Sequence, residues 1–313
     1  MPGPYSVVTV PELVLRKRDG ANVSVLIRAP RVQADRDRQR PMVVFSHGAG
    51  GDCRAFSDLC TYWASLGYIV VNPTHADSVR LRREHGETLR LGEDIRTQVV
   101  RGVNLMDRAA DIQKVLNSAE SIEAALRRQE TQAAINPKQL ALAGHSAGAL
   151  TTQLMAGVRF YLPGRRAPLS MPEARFSAYI LISGQGLSRP AFRKDSWKDI
   201  TRPMMVIAGS DDRSPVNDET PEGRTHPYRY APAGGKYLVF IQGATHSSYA
   251  GKRTSALLGD TPSASITYIT QVVASCTAAF LDAHLLSDRA AHQWLQSSKP
   301  SRIPGGQLEY AHK

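Results

Sequence analysis

The sequence predicts an α/β fold built on a doubly wound, mostly parallel sheet, and three observations carry that prediction. Short apolar, β-branched runs such as Met42-Val43-Val44-Phe45 recur along the chain, as in strands buried on both faces. Segments with helical spacing separate them, the arrangement that covers a parallel sheet from both sides. Several of these strands end in glycine-containing turns, on the edge where open α/β sheets hold ligands. The 313 residues are then expected to form a single domain over 1–313, with a core over about 5–286, because such sheets keep 200 to 300 residues around one core.

Taken in order, Glu12 to Leu15 and Asn22 to Arg28 read as an N-terminal antiparallel hairpin around the turn signal Asp19-Gly20. A charged stretch bounded by Pro30 and Pro41 leads to the strand Met42 to Phe45, which runs into the loop His47-Gly48-Ala49-Gly50-Gly51. Leu59, Cys60, Trp63 and Leu66 fall at helical spacing before Gly67, a helix stop, with Trp63 in the core. Tyr68 to Asn72 is the next strand. Residues 73–104 are polar and irregular, long enough for a functional loop, and Leu105 to about Thr131 reads as one helix. Gln139 to Ala143 is a strand, followed by Gly144-His145-Ser146-Ala147-Gly148 and a helix to about Val158. Tyr179 to Ser183, Met204 to Ala208 and Tyr237 to Ile241 are further buried strands, and Ile266 to Leu286 closes the fold as a helix. After Ser297, with Pro300, Pro304, Gly305 and Gly306, residues 297–313 are expected as a surface tail with little regular structure.

Composition excludes several classes. With 42% hydrophobic and 21% charged residues the chain is globular, and no uninterrupted apolar run approaches the about 18 residues of a membrane span. The net charge of +11 favours approach to anionic surfaces. Its arginines and lysines are nevertheless scattered, with no zinc-finger or RNA-binding signature, so no nucleic-acid partner is expected. Cys53, Cys60 and Cys276 form neither a CxxC pair nor a metal spacing, so neither a disulfide framework nor a metal follows. Residues 1–30 lack a basic segment followed by an apolar core, the pattern of a secretory leader. A secreted, periplasmic or cytoplasmic location and the oligomeric state are left open.

The chemistry concentrates at G-x-S-x-G. Gly144-His145-Ser146-Ala147-Gly148 follows a strand and opens a helix, so the serine sits in a tight turn that needs small neighbours, with the helix amides aimed at developing negative charge. The plain alternative is an N-cap serine. A hydroxyl nucleophile needs a base and an orienting acid, and two later strands end in Gly209-Ser210-Asp211-Asp212 and Gly243-Ala244-Thr245-His246. The chain order Ser, Asp, His is the one expected for such a site. Ser146 is therefore the candidate nucleophile, His246 the base, and Asp211 or Asp212 the acid. For the oxyanion, the candidate donors are the N–H groups of Ala147 and of Ala49, in the glycine-rich loop where His47 could equally be a structural hydrogen-bonding residue. His75 reads as structural or cleft-lining, and Trp197 as core or groove wall.

Val43 to Gly51, Tyr62 to Val71, Gly144 to Gly148 and Gly243 to His246 together resemble the α/β-hydrolases related to dienelactone hydrolase. Within them the likeness is greatest to serine esterases of the platelet-activating-factor acetylhydrolase kind, with polyester hydrolases more distant. It spans roughly residues 5–285. The resemblance implies the α/β-hydrolase fold, a secreted or intracellular serine esterase without cofactor, and the residue after His47-Gly48 in the oxyanion hole. Where dienelactone hydrolases carry cysteine, this chain carries Ser146, which speaks against that one activity. In related hydrolases the acid stands three residues after the glycine ending its strand, which from Gly209 favours Asp212; counting back four from Pro215 gives Asp211.

The expected function is hydrolysis of a carboxylic ester, small-molecule or polymeric, through an acyl-enzyme on Ser146. Alternatives on the same scaffold are a peptidase or amidase, an acyltransferase, and a non-catalytic binding protein. The short connection between Ser183 and Met204 leaves no room for a separate lid domain, so cover would come from 73–104 and 159–176.

Overall fold

The computed structural model describes residues 2–16, 22–33, 39–87, 95–188, 190–214, 218–257 and 259–313. The expected turn Asp19-Gly20 and Pro215 lie outside these. The strands follow the order β1-β2-β4-β3-β5-β6-β7-β8-β9 in a mixed, mostly parallel sheet, and the chain divides into two compact units, Met1–Leu142 and Ala143–Lys313.

In the first unit, β1 (Val7–Arg16) and β2 (Asn22–Pro30) pair antiparallel, Leu15 opposite Val23, with the register shifting between Val10 and Leu13. Glu12, at φ 41, stands in that bulge. β3 (Gln39–Ser46) pairs parallel with β4 (Ile69–Pro73), and every residue from Met42 to Ser46 and from Ile69 to Pro73 is buried, as strands covered on both faces require. Between them α1 (Ser57–Ser65) buries Leu59, Cys60 and Trp63. The stretch after β4 departs from the expected irregular loop, because it forms α2 (Val79–Glu84), capped by the Ser78 hydroxyl, and α3 (Ile95–Val100). The single helix expected from Leu105 to Thr131 is two, α4 (Leu105–Leu116) and α5 (Ala119–Arg127). They separate where the Ser118 hydroxyl donates to Lys114 O at 2.8 Å and satisfies a helix-end carbonyl locally. β5 (Ala134–His145) starts earlier than its apolar run, and Cys53 and Cys60 are buried free thiols.

In the second unit, α6 (Ala147–Ala156) follows β5 directly and is buried along its whole length. β6 (Ala178–Ile182), β7 (Met204–Asp211) and β8 (Lys236–Thr245) pair in parallel, Leu181 beside Val206 and Val206 beside Leu238. The short helices α7 (His226–Tyr230) and α8 (Lys252–Leu257) flank β8. α9 (Ile266–Leu285) is long and apolar enough to cross a membrane by length and composition. Its apolar side is used inside the unit, where Val272, Val273, Phe280 and Leu281 are buried.

The chain end corrects a further expectation. After α10 (Arg289–Leu295), residues 308–312 form β9 (Leu308–His312), antiparallel to β8 with Val239 opposite Tyr310. Its alternation of Leu308 inward and Glu309 outward is a period-2 signal too short to stand out beside Pro304-Gly305-Gly306.

Candidate active site

Ser146 stands between the last residue of β5 and the first of α6 at φ 53 and ψ −115, a conformation that non-glycine residues rarely adopt. Its N–H donates to Ile182 O at 3.0 Å, which ties the turn to β6. The small residues around it are a steric requirement: a Cβ on Gly144 would lie 2.4 Å from the carbonyl carbon and oxygen of Gly148. Gly144→Ala is therefore expected to lower stability by about 1–3 kcal/mol, as overpacking does, read as a lower urea midpoint. An unchanged midpoint would mean the turn opens freely.

The two later strands deliver the partners. His246 follows β8, and its Nε2 lies 3.0 Å from Ser146 Oγ while its Nδ1 lies 3.0 Å from Asp212 Oδ1. The loop behind it is anchored by Ser247, whose N–H and hydroxyl both donate to Asp260 Oδ2. Of the two acids at the end of β7, Asp211 closes the strand, while Asp212, just after it, is fully buried. Asp211 is exposed and accepts from the hydroxyls of Ser210 and Ser263. The structure thus brings Ser146, His246 and Asp212 together and turns Asp211 away.

Burial would push the Asp212 carboxyl up, but the charge of Arg224, the hydrogen bond and charge of His246 and the Ser183 hydroxyl outweigh it and hold the pKa at about 2. The folded state thus binds this proton more weakly than the unfolded chain, where an aspartate titrates near about 3.9. Its contribution to stability is fully present above about pH 4 and lost as pH falls through about 2. Urea midpoints of the wild type are expected to decline in that window, and Asp212→Asn to decline less.

Four further residues around the relay are not among the candidates that the sequence singles out. The Ser183 hydroxyl, on a residue at φ 53, lies 2.8 Å from His246 Nδ1 and donates to Asp212 Oδ1 at 2.9 Å. Tyr249 donates to Asp212 Oδ2 at 2.9 Å. His145 Nε2 bonds the main-chain oxygen of His246 at 2.8 Å, and its pKa falls to about 3 through burial and the neighbouring His246. It stays neutral, as a donor to a carbonyl can. The fourth, Arg224, is buried against Asp212. Ser183 at a strand end and His145 inside G-x-S-x-G were at least in suggestive places; Tyr249 and Arg224 were not.

Ala147 is the first residue of α6 and its side chain is buried, with no acidic residue in the helix's first turn. Ala49 belongs to the first unit, where its loop is held from within. Arg108 forms a buried ion pair with Asp77 at 2.8 Å and donates to His47 O at 2.7 Å and Gly48 O at 3.3 Å. His47 takes a single tautomer there, its Nδ1–H toward Gly48 O at 2.6 Å and its Nε2 accepting the His75 N–H at 3.0 Å. Burial and the Arg108 charge keep it well below the usual histidine range, hence neutral. Because a trans peptide sets N–H opposite C=O, gripping Gly48 O directs the Ala49 N–H away from Arg108. The amides of Gly50 and Gly51 are already committed, to Asp77 Oδ2 and Gly48 O.

His75 is fully buried between Ser46 Oγ and Asp111 Oδ2, both at 2.8 Å, and so belongs to this scaffold rather than to a cleft wall. Trp197 is equally buried, its indole N–H donating to Gln153 Oε1 at 2.7 Å, so it is core and not a groove wall. Among the described residues no group of three or more His, Cys, Asp or Glu side chains could hold a metal ion.

No curated protein is a significant match to the chain. The family described as platelet-activating factor acetylhydrolase, isoform II, matches residues 28–297, a span that starts within β2 and runs past the end of α10. With most of its length accounted for in this way, the chain belongs to that family, whose members are α/β-hydrolases of the lipase/esterase type.

Proposed function

We propose that this chain hydrolyses carboxylic esters through an acyl-enzyme on Ser146. The observation that carries the reading is the run of hydrogen-bond separations from Ser146 Oγ through His246 to Asp212, 3.0 Å at each step. His246 Nε2 takes the Ser146 proton as Oγ attacks the ester carbonyl, then returns it to the departing alcohol. Water repeats the sequence on the acyl-enzyme and frees the acid. Asp212 holds the imidazole with its hydrogen on Nδ1 and stabilises the imidazolium as it forms. The oxyanion is proposed to accept from the N–H of Ala147, at the N-terminus of a buried helix, where amides and dipole favour negative charge. Ala49 is proposed as the second donor from its position after His47-Gly48. Since the family takes its description from an acetyl ester hydrolase, short acyl groups are the proposed substrates, on a small molecule or a polymer.

A panel of p-nitrophenyl esters of rising chain length tests this. Hydrolysis should be strongest for the short acyl chains, unchanged by EDTA, and without a jump above substrate solubility. Loss with EDTA and recovery with zinc would replace the serine mechanism, and a sharp rise at the oil-water interface would reveal a mobile lid.

A further inference from the structure

The mechanism above leaves one buried charge in the site without a task. Arg224 is 1% exposed. Its Nε lies 3.3 Å from Asp212 Oδ1 and donates to the Asp212 main-chain oxygen at 3.4 Å, while Nη1 donates to the carbonyls of Ser183 and Gly184, each at 3.2 Å. Nη2 comes within 3.3 Å of His246 Nδ1.

The segment carrying Arg224 is built against the end of β6 by close contacts. A Cβ on Gly186 would lie 2.0 Å from Gly223 O, and one on Gly223 would lie 1.9 Å from Glu219 Oε1. Glu219 Oε2 accepts the Gly186 N–H at 2.9 Å, and His226 Nδ1 accepts the Leu187 N–H at 3.1 Å. These bonds seat the 3₁₀ turn Gly223–Thr225 where the guanidinium can span from β6 to the carboxylate.

A carboxylate out of water is costly unless a cation and donors compensate it. Here both oxygens are engaged: Oδ1 by His246, Ser183 and Arg224, Oδ2 by Tyr249. The imidazole must keep its hydrogen on Nδ1 for Nε2 to act as base. A guanidinium has no acceptor for that hydrogen, and an Arg224 N–H turned onto the Nδ1 lone pair would select the opposite tautomer. Nη1 is anchored on the Ser183 and Gly184 carbonyls, and Asp212 Oδ1, 3.0 Å from Nδ1 against 3.3 Å for Arg224 Nη2, is the nearer partner and the one able to accept the Nδ1 hydrogen.

We propose that Arg224 is a positioning residue of the relay: by tying Asp212 to the carbonyls at the end of β6, it holds Oδ1 against His246 Nδ1 and so maintains the tautomer in which Nε2 is the base. The proposal rests on the reading of Ser146 as nucleophile and His246 as its base.

The test is a double-mutant cycle with p-nitrophenyl acetate. Arg224→Gln is expected to lower kcat by roughly 10²-fold, as misplacement of a catalytic group does, with KM within about threefold. In an Asp212→Asn background the same substitution should change kcat by less than about twofold, because the group it acts through is already gone. A scaffold role with no link to the acid would produce equal losses in both backgrounds, and that result, or an unchanged kcat in the single variant, overturns the proposal. If Arg224→Gln does not fold, Arg224→Lys, which keeps the charge but not the fork, carries the same comparison. Fluorophosphonate labelling of the wild type separates the two layers. Absence of label on Ser146 removes the underlying reading and the proposal with it, whereas a labelled wild type with equal losses removes only the role of Arg224.

Discussion

Ser146→Ala is expected to lower kcat for p-nitrophenyl esters by at least about 10⁴-fold while leaving the urea midpoint close to that of the wild type. Removing the serine of a well-studied triad costs about 10⁶ in another enzyme, and context allows for less. The folding half of the expectation follows from the backbone. The turn is held by the Ser146 N–H bond to Ile182 O and by the close approach of Gly144 to Gly148, whereas the hydroxyl's hydrogen bond goes to His246 Nε2. Alanine keeps the same left-handed strain as serine and adds no volume. A fluorophosphonate should label Ser146 in the wild type and nothing in the variant. Full activity in Ser146→Ala, or labelling at another residue, would end the acyl-enzyme reading.

The second large effect separates two adjacent carboxylates. Asp212→Asn is expected to lower kcat by at least about 10²-fold, and Asp211→Asn by less than roughly tenfold. An amide at 212 can turn its NH₂ toward Nδ1, which favours the tautomer with a hydrogen on Nε2 facing Ser146; in a well-studied triad this change costs about 10⁴. Among the described residues, the Asp211 carboxylate accepts from the hydroxyls of Ser210 and Ser263 on the exposed side of the loop. Its loss should remove turn contacts and little else. Kinetics of the two variants, with circular dichroism to check equal folding, decide the matter: the reverse ranking assigns the role to Asp211, and small effects from both place the acid elsewhere.

Much of the fold was legible because its signals are local. Strands buried on both faces read as apolar β-branched runs: Met42 to Phe45 and Met204 to Ala208 lie within strands where expected, and the run expected from Tyr179 to Ser183 does so except for Ser183, just past the end of β6. The break between α4 and α5 was missed because a serine hydroxyl competing with the helix ladder leaves hydrophobic spacing almost unchanged. β9 was missed because its pairing with β8 is long-range and its own pattern spans five residues.

What the sequence by itself determined is the set of candidates: a serine in a strand-turn-helix signature, a histidine and an acid pair after later strands, and a glycine-rich loop after β3. Their chemistry depends on residue type and local placement, which a linear reading can see. What only the tertiary structure decided is which way the neighbouring side chains face and what surrounds the buried acid. Asp211 and Asp212 are equivalent in composition, and the path of the backbone leaving β7 turns one outward and the other toward His246 Nδ1. Ser183, Tyr249 and Arg224 reach Asp212 from segments 29, 37 and 12 residues away along the chain. No spacing rule links them to it, because the demand they meet, compensation of a charge removed from water, arises only once the chain has folded.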